Sequence, residues 1–262
     1  MSPRHRLIEQ YREQLLRWNP QINLVSRKDT VQRVDALLAQ AEAGIQHVVQ
    51  HLPLETEDPL LKDALLNYFD LGSGGGIPGV VWHIVLSEKG YRPETCLVEP
   101  REKRTWFLER QRQLPEMPPF CTLCDRWGED TGGEESPCAA LAAERLSPVT
   151  DRARPLVTLI SLKALRLTDL QILAGMARMA PHAIGRTGMI LIARYYPPGQ
   201  TLDPELREQL RLVDEGAVVE RGTLTAEAAG AWVENLEGLA GPGASLVFSR
   251  FRVRGSDAGS GE

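Results

Sequence analysis

Residues 70–79 read DLGSGGGIPG, five glycines in ten positions with an aspartate in front. Such a run lets backbone pass close to a ligand, and three ligand classes use a glycine loop after a strand. A P-loop needs G-x-x-x-x-G-K-[ST], the lysine for phosphates and the hydroxyl for Mg²⁺. Val80 follows Gly79, so that class is excluded. A dinucleotide site needs G-x-G-x-x-G with an acid about twenty residues on; Gly74, Gly76, Gly79 and Glu99 satisfy it. That reading leaves Asp70 without a task. S-adenosylmethionine gives work to both acids. Asp70 suits its cationic methionine end, directly or through water, and Glu99 can accept from both ribose hydroxyls. Gly72, Gly74 and Gly76 then let the loop approach the ligand. The D-x-G-x-G-x-G spacing favours this cofactor, with an NAD-linked oxidoreductase as the alternative on the same glycines.

Other reactive groupings are few. Cys121 and Cys124 form a C-x-x-C with no second pair at zinc-ribbon spacing. His47 and His51 stand at i, i+4, but no glutamate follows the first as in H-E-x-x-H. No metal site is expected. No Ser/His/Asp set or carboxylate pair is evident. The cations Lys163 and Arg194 fall at the carboxyl ends of expected strands, where open α/β sheets bind ligands. They are read either as substrate-holding groups or as surface charges at strand ends.

These residues need a frame to hold them. Residues 3–18 read as an amphipathic helix through Leu7, Tyr11, Leu15 and Trp18, broken at Asn19-Pro20. A second helix runs from about Thr30 to His51, and a proline-bounded acidic link follows. Then the grammar changes to alternating strand and helix: LLNYFDLG and the glycine loop, VVWHIVLSEKG, TCLVEP, REKRTWFLERQRQL, PFCTLCDRW. CAALAAERL is a further helix. PLVTLIS, a helix after Thr168, and GMILIARYY continue the series. Alternation of this kind means a doubly wound, mostly parallel sheet. GAVVERGTL and ASLVFSRFRV are expected as an antiparallel hairpin at its edge. The expected division is a helical cap over residues 1–62, a catalytic domain over 63–254 and a disordered tail over 255–262.

A 262-residue chain with 42% hydrophobic and 25% charged residues is an ordinary globular composition, not a disordered one. No apolar run approaches a membrane span. The basic start leads into charged residues rather than an apolar signal core, so a cytoplasmic protein without membrane partners is expected. The net charge of −5 carries no nucleic-acid signature. Its distribution says more. Residues 1–33 carry Arg4, Arg6, Arg12, Arg17, Arg27, Lys28 and Arg33 against only Glu9, Glu13 and Asp29. Such an end either meets a phosphate backbone or is a solvated helix face.

The segments WNPQINLVSRKD, IQHVVQHL, FDLGSGGGIPG and LVEPREKRTWFL together resemble the RsmG (GidB) family of 16S ribosomal RNA guanine-N7 methyltransferases. The glycine loop closing in Ile77-Pro78-Gly79 and the asparagine pair carry more of the likeness than the glycines themselves. The resemblance implies a class I methyltransferase fold, Rossmann-like, behind a small helical cap. It implies S-adenosylmethionine held by Asp70, Gly72, Gly74, Gly76, Ile77 and Glu99, and ribosomal RNA or the small ribosomal subunit as partner. Arg12, Arg17, Arg27 and Lys28 are the expected RNA contacts. The chain also departs from the pattern. Where the family reads S-R-A, this chain has Leu162, Lys163 and Ala164, and a family lysine falls on Arg194. Trp127 and Gly128 stand where the adenine edge is expected. Lys163 keeps the arginine's charge without its bidentate fork. That change leaves open a homologue that binds cofactor and RNA but has an altered acceptor or none.

Overall fold

The computed structural model describes residues 2–52, 65–127, 156–179, 187–196, 218–221, 224–236 and 245–254. Two long helices come first, α1 (Pro3–Ile22) and α2 (Thr30–His51). The alternating part follows as β1 (Leu65–Leu71), α3 (Gly79–Glu88), β2 (Glu94–Val98), α4 (Glu102–Gln111) and β3 (Cys121–Leu123). It continues as β4 (Leu156–Lys163), α5 (Asp169–Met179) and β5 (Thr187–Tyr196), then β6 (Val218–Arg221), β7 (Leu224–Asn235) and β8 (Ser245–Arg254).

The eight strands form one sheet in the order β3-β2-β1-β4-β5-β8-β7-β6. The first five run parallel and β8, β7 and β6 close the edge antiparallel. This is the class I methyltransferase sheet. Its order reverses between β1 and β4, and β1 ends there in Asp70 and Leu71. Ligands collect at such a switch point, outside the carboxyl ends of the strands.

The edge holds one strand more than the expected hairpin. Residues 224–235, LTAEAAGAWVEN, are alanine-rich and poor in strand formers, yet they pair along their length with β8. Neighbouring strands override weak local preference here. Helix α1 also outruns its expected end, continuing through Pro20 to Ile22. A proline in the last turn forfeits one intrahelical bond only. Asn23 then turns left-handed and its N–H returns to the Asn19 carbonyl at 2.9 Å, while the buried Asn19 side chain accepts from the Val25 N–H at 2.8 Å. At α5 the expected N-cap is present: Thr168 and Gln171 exchange side chain–backbone bonds of 3.1 and 2.9 Å.

Strand alternation sends side chains to two cores. Leu66, Tyr68, Leu159, Leu191 and Phe248 meet α1, α2, α3 and α4 on one face. Phe69, Leu71, Ile160, Ile192 and Phe251 meet α5 on the other. The two N-terminal helices have no core of their own: Leu7, Tyr11, Leu15 and Ile45 lie in the same cluster as Trp82, Leu97 and Tyr195. The contact is close, since a Cβ on Gly44 of α2 would fall 2.1 Å from the Tyr195 hydroxyl. Trp82 donates to the Ala41 carbonyl at 2.9 Å. The expected boundary at residues 62 and 63, the helix expected in CAALAAERL and the 255–262 tail lie outside the described residues.

Candidate active site

The glycine loop leaves β1 and is tied at once to β2, because the N–H groups of Gly72 and Ser73 both donate to the Val98 carbonyl at 2.8 and 3.0 Å. Gly72, Gly74 and Gly76 have φ of +70, +58 and +91°, a region that costs other residues strain. Gly79 is required by space instead: a Cβ there would stand 2.5 Å from the Asp70 Oδ2. The loop is also propped from α1. The Tyr11 hydroxyl donates to the Gly75 carbonyl at 2.5 Å, and Leu15 and Leu24 close on Gly75 from the same side.

Glu99, just past β2, is buried, and its carboxylate accepts from the N–H groups of Gly74 at 2.8 Å and Arg101 at 3.1 Å. Loop and strand end are thus joined through the carboxylate expected to meet ribose hydroxyls. Each oxygen has a second lone pair, so the donor set still fits a diol.

Asp70 is buried on the face that carries α1–α4. Its Oδ1 accepts from the Ser161 hydroxyl at 2.5 Å, and that oxygen also bonds Tyr68 Oη at 2.8 Å. Oδ2 has no aligned hydrogen-bond partner among the described residues. The start of α3 at Gly79 lies against it and favours the charged form through its backbone N–H, without completing a bond. Burial dominates and pushes the carboxyl up to about 6. A buried acid with an open lone pair under a glycine loop fits a cationic ligand end.

Lys163 lies on the same face, its ammonium 5.3 Å from the centre of the Tyr195 ring. Burial and the nearby Arg33 guanidinium lower it to about 7, against the pull of Asp70. Arg194 does not join it. Lys163 is in register with Tyr195, so Arg194, one residue earlier, points to the opposite face. There it is buried, ion-paired with Asp169 and donating to Ser249 Oγ at 3.3 Å. The expectation that both cations hold one substrate group is corrected by this alternation: the sheet stands between them.

Trp127 is likewise committed. Its indole N–H donates to the Ile172 carbonyl at 3.1 Å and its ring packs on Phe69. Its side chain fills core, leaving only backbone for an adenine contact. Gly128 lies outside the described residues. Of the expected RNA contacts, Arg12 is held by Asp35 at 2.5 Å and Glu9 at 3.1 Å. Arg27 donates to the Pro20 carbonyl at 3.1 Å, Arg17 lies 5.7 Å from the Trp18 ring, and Lys28 is exposed. His47 and His51 face one carboxylate, Glu234 of β7, at 3.6 and 3.3 Å. Cys121 and Cys124 donate to the Thr95 and Pro100 carbonyls at 3.3 and 3.9 Å.

The sequence alone does not mark Tyr11, Ser73, Ser161, Arg33 or Arg104 as residues of the site. Ser161 is legible only once β4 is set beside β1, where it pairs with Asp70. Tyr11 carries a helical spacing signal that says core and nothing about Gly75.

The family model for rRNA small subunit methyltransferase G matches residues 4–157. The chain belongs to this family. A ribosomal RNA small subunit methyltransferase G from Acidiphilium cryptum is 32% identical over 142 residues, 54% of this chain and 58% of the relative. One from Bordetella pertussis is 35% identical over 105 residues, 38% of this chain and 40% of the relative. The chain thus matches little more than half of the one and less than half of the other. Among solved structures, a SAM-dependent methyltransferase from Aquifex aeolicus aligns over 79% of this chain and 88% of its own, at 14% identity and a TM-score of 0.40. The matched stretch of the family model holds the glycine loop, Glu99 and α4, and stops at the start of β4 before Lys163.

Proposed function

We propose that this protein transfers a methyl group from S-adenosylmethionine to N7 of a guanine in small-subunit ribosomal RNA, in the cytoplasm. The observation that carries the reading is the join between Glu99 and Gly74, with Asp70 buried beneath the same loop. Two carboxylates beside one glycine loop suit a ligand with a cationic end and a diol, which supports the reading. Family membership supports the acceptor. Among the described residues no helix is long and apolar enough to cross a membrane.

When bound, the cofactor supplies an electrophilic methyl group. Guanine N7 carries a lone pair and no proton, so the chain needs no general base. It must hold N7 in line and keep water out. Glu99 accepts from the ribose hydroxyls and keeps the loop closed through Gly74. Asp70 offsets positive charge above it. Lys163 donates to guanine O6 or to a neighbouring phosphate, and an anionic partner raises its proton affinity from about 7, so that it is charged when engaged. Arg194 has no part in this step, since its guanidinium is held by Asp169.

The test is transfer of labelled methyl from S-adenosylmethionine to naked 16S RNA and to assembled small subunits, with nucleoside analysis for N7-methylguanosine. Label at that nucleoside supports the reading; label elsewhere or none refutes it. Calorimetry with S-adenosylmethionine, its demethylated product and NAD separates the oxidoreductase alternative, which predicts NAD binding alone.

A further inference from the structure

The seam between α1 and α4 begins at the candidate site. Arg104 donates to the Asn23 carbonyl at 2.9 Å, and its Nη1 stands 3.8 Å from where a Cβ on Gly74 would be. A cleft of about 470 Å³ opens there, lined by Ile22, Asn23 and residues 100–104. Further along the seam two tryptophans meet edge to face, Trp18 and Trp106, with ring centres 5.0 Å apart. The Arg110 guanidinium lies over both, 5.4 Å from Trp18 and 5.1 Å from Trp106. Trp18 is packed against the core and its N–H is bonded to Gln14. Trp106 is 41% exposed, although α4 buries Phe107 and Leu108 beside it.

Charge identifies what would cover it. From Arg101 to Arg112 five cations, Arg101, Lys103, Arg104, Arg110 and Arg112, stand against Glu102 and Glu109. Guanidinium groups around an exposed aromatic ring repel a basic partner and lose hydration against a purely apolar one. The combination suits a strand whose bases stack and whose backbone is anionic. A duplex keeps its bases inside and offers no face to the ring.

We propose that the α1–α4 seam is a docking track for unpaired RNA flanking the reacting guanine, with a base stacked on Trp106 and phosphates on Arg110, Lys103 and Arg101. The inference rests on the RNA-methylating reading. The track starts at the glycine loop and runs outward along α4, and Arg110 lies six residues, or roughly 9 Å of helix rise, beyond Arg104.

Fluorescence anisotropy with a labelled 12-nucleotide single-stranded RNA, and with the duplex of the same sequence, tests it. Trp106→Ala should weaken single-strand binding roughly tenfold, in the range for loss of one base–aromatic stack, and leave its salt slope unchanged. Trp106→Phe should recover most of the loss. Arg110→Ala should weaken binding and also flatten the slope by about 0.7. Cofactor affinity should stay as in wild type for both tryptophan variants, and both should remain folded at the assay temperature although Trp106→Ala loses its contact with Trp18. The inference is overturned if Trp106→Ala binds the single strand normally, or weakens duplex and single strand alike. It is also overturned if only binding to assembled subunits falls, which assigns the patch to a ribosomal protein. If wild type methylates ribosomal RNA and Trp106→Ala does so with unchanged KM, this inference alone fails. If wild type binds no RNA at all, the RNA acceptor fails with it.

Discussion

Replacing Arg194 with methionine removes half of an ion pair whose two side chains are each 6% exposed. What remains is the Asp169 carboxylate, whose Oδ2 already lacks a hydrogen-bond partner among the described residues. Breaking a buried pair from one side costs about 3–5 kcal/mol, because the survivor keeps its desolvation cost and loses its counter-charge. Replacing both partners with apolar groups of similar size removes both costs. Arg194→Met should therefore lower stability by about 3–5 kcal/mol, and Arg194→Met with Asp169→Leu should recover most of it. At about 2–4 °C per kcal/mol for a domain near this size, the single variant loses roughly 6–20 °C of melting temperature. Urea melts followed by circular dichroism at pH 7 measure all three proteins. Methyl transfer by the double variant, assayed below its melting point, should persist. If Arg194→Met melts like wild type but has lost transfer, the residue acts on substrate and the reasoning from its ion pair is wrong.

Asp70 is held at about 6 against an ordinary 3.8, a factor of roughly 100 in proton affinity and at most ~3 kcal/mol. The fold binds this proton more tightly than the unfolded chain, so stability is lost as pH rises from about 4 through about 6. The difference in melting temperature between Asp70→Asn and wild type should grow over that window; parallel curves would show that the carboxyl carries no such cost. Glu99→Ala should weaken binding of S-adenosylmethionine by about 1.5–3 kcal/mol in calorimetry, with unchanged affinity placing the pocket elsewhere. Tyr11→Phe leaves the Gly75 carbonyl unsatisfied and should cost about 1–3 kcal/mol in a urea melt; no loss would mean that α1 does not brace the loop. Lys163→Ala should cut transfer more than RNA binding, while Lys163→Arg is tolerated; a matched fall in both measurements would move Lys163 away from the reacting base.

The glycine loop, the positions of both acids at strand ends and the parallel character of the sheet were legible because each rests on local rules: turn glycines, alternation of strand and helix, and an acid at a fixed distance. The face to which each cation points was not. Whether Lys163 and Arg194 converge depends on the register between β4 and β5, and a shift of one residue reverses the answer. The commitment of the Trp127 side chain to core was hidden for a related reason. An indole after a short strand reads equally as a ligand wall or as core, and the Ile172 carbonyl that claims its N–H is 45 residues away in sequence. The alanine-rich β7 was hidden because its strand character comes from β8 and not from its own residues. Trp18 was legible as a helix-face residue but its pairing with Trp106 was not, since the two meet only when α1 crosses α4.

The core shared by α1 and the final strand bears on how the chain is made. Leu7 of the first helix and Phe248 of β8 belong to one cluster, and Leu236 and Leu246 complete it. His51, at the end of α2, lies 5.5 Å from the Phe248 ring. At about 5–20 residues per second on a ribosome, His51 waits roughly 10–40 s for Phe248 to be made. Over that interval the end of α2 lacks the Phe248 ring that lies 5.5 Å from His51 in the finished fold. A stop before Ser245 removes the strand that joins β5 to β7 and leaves the β5 edge unpaired, which makes premature termination an aggregation hazard rather than a mild truncation.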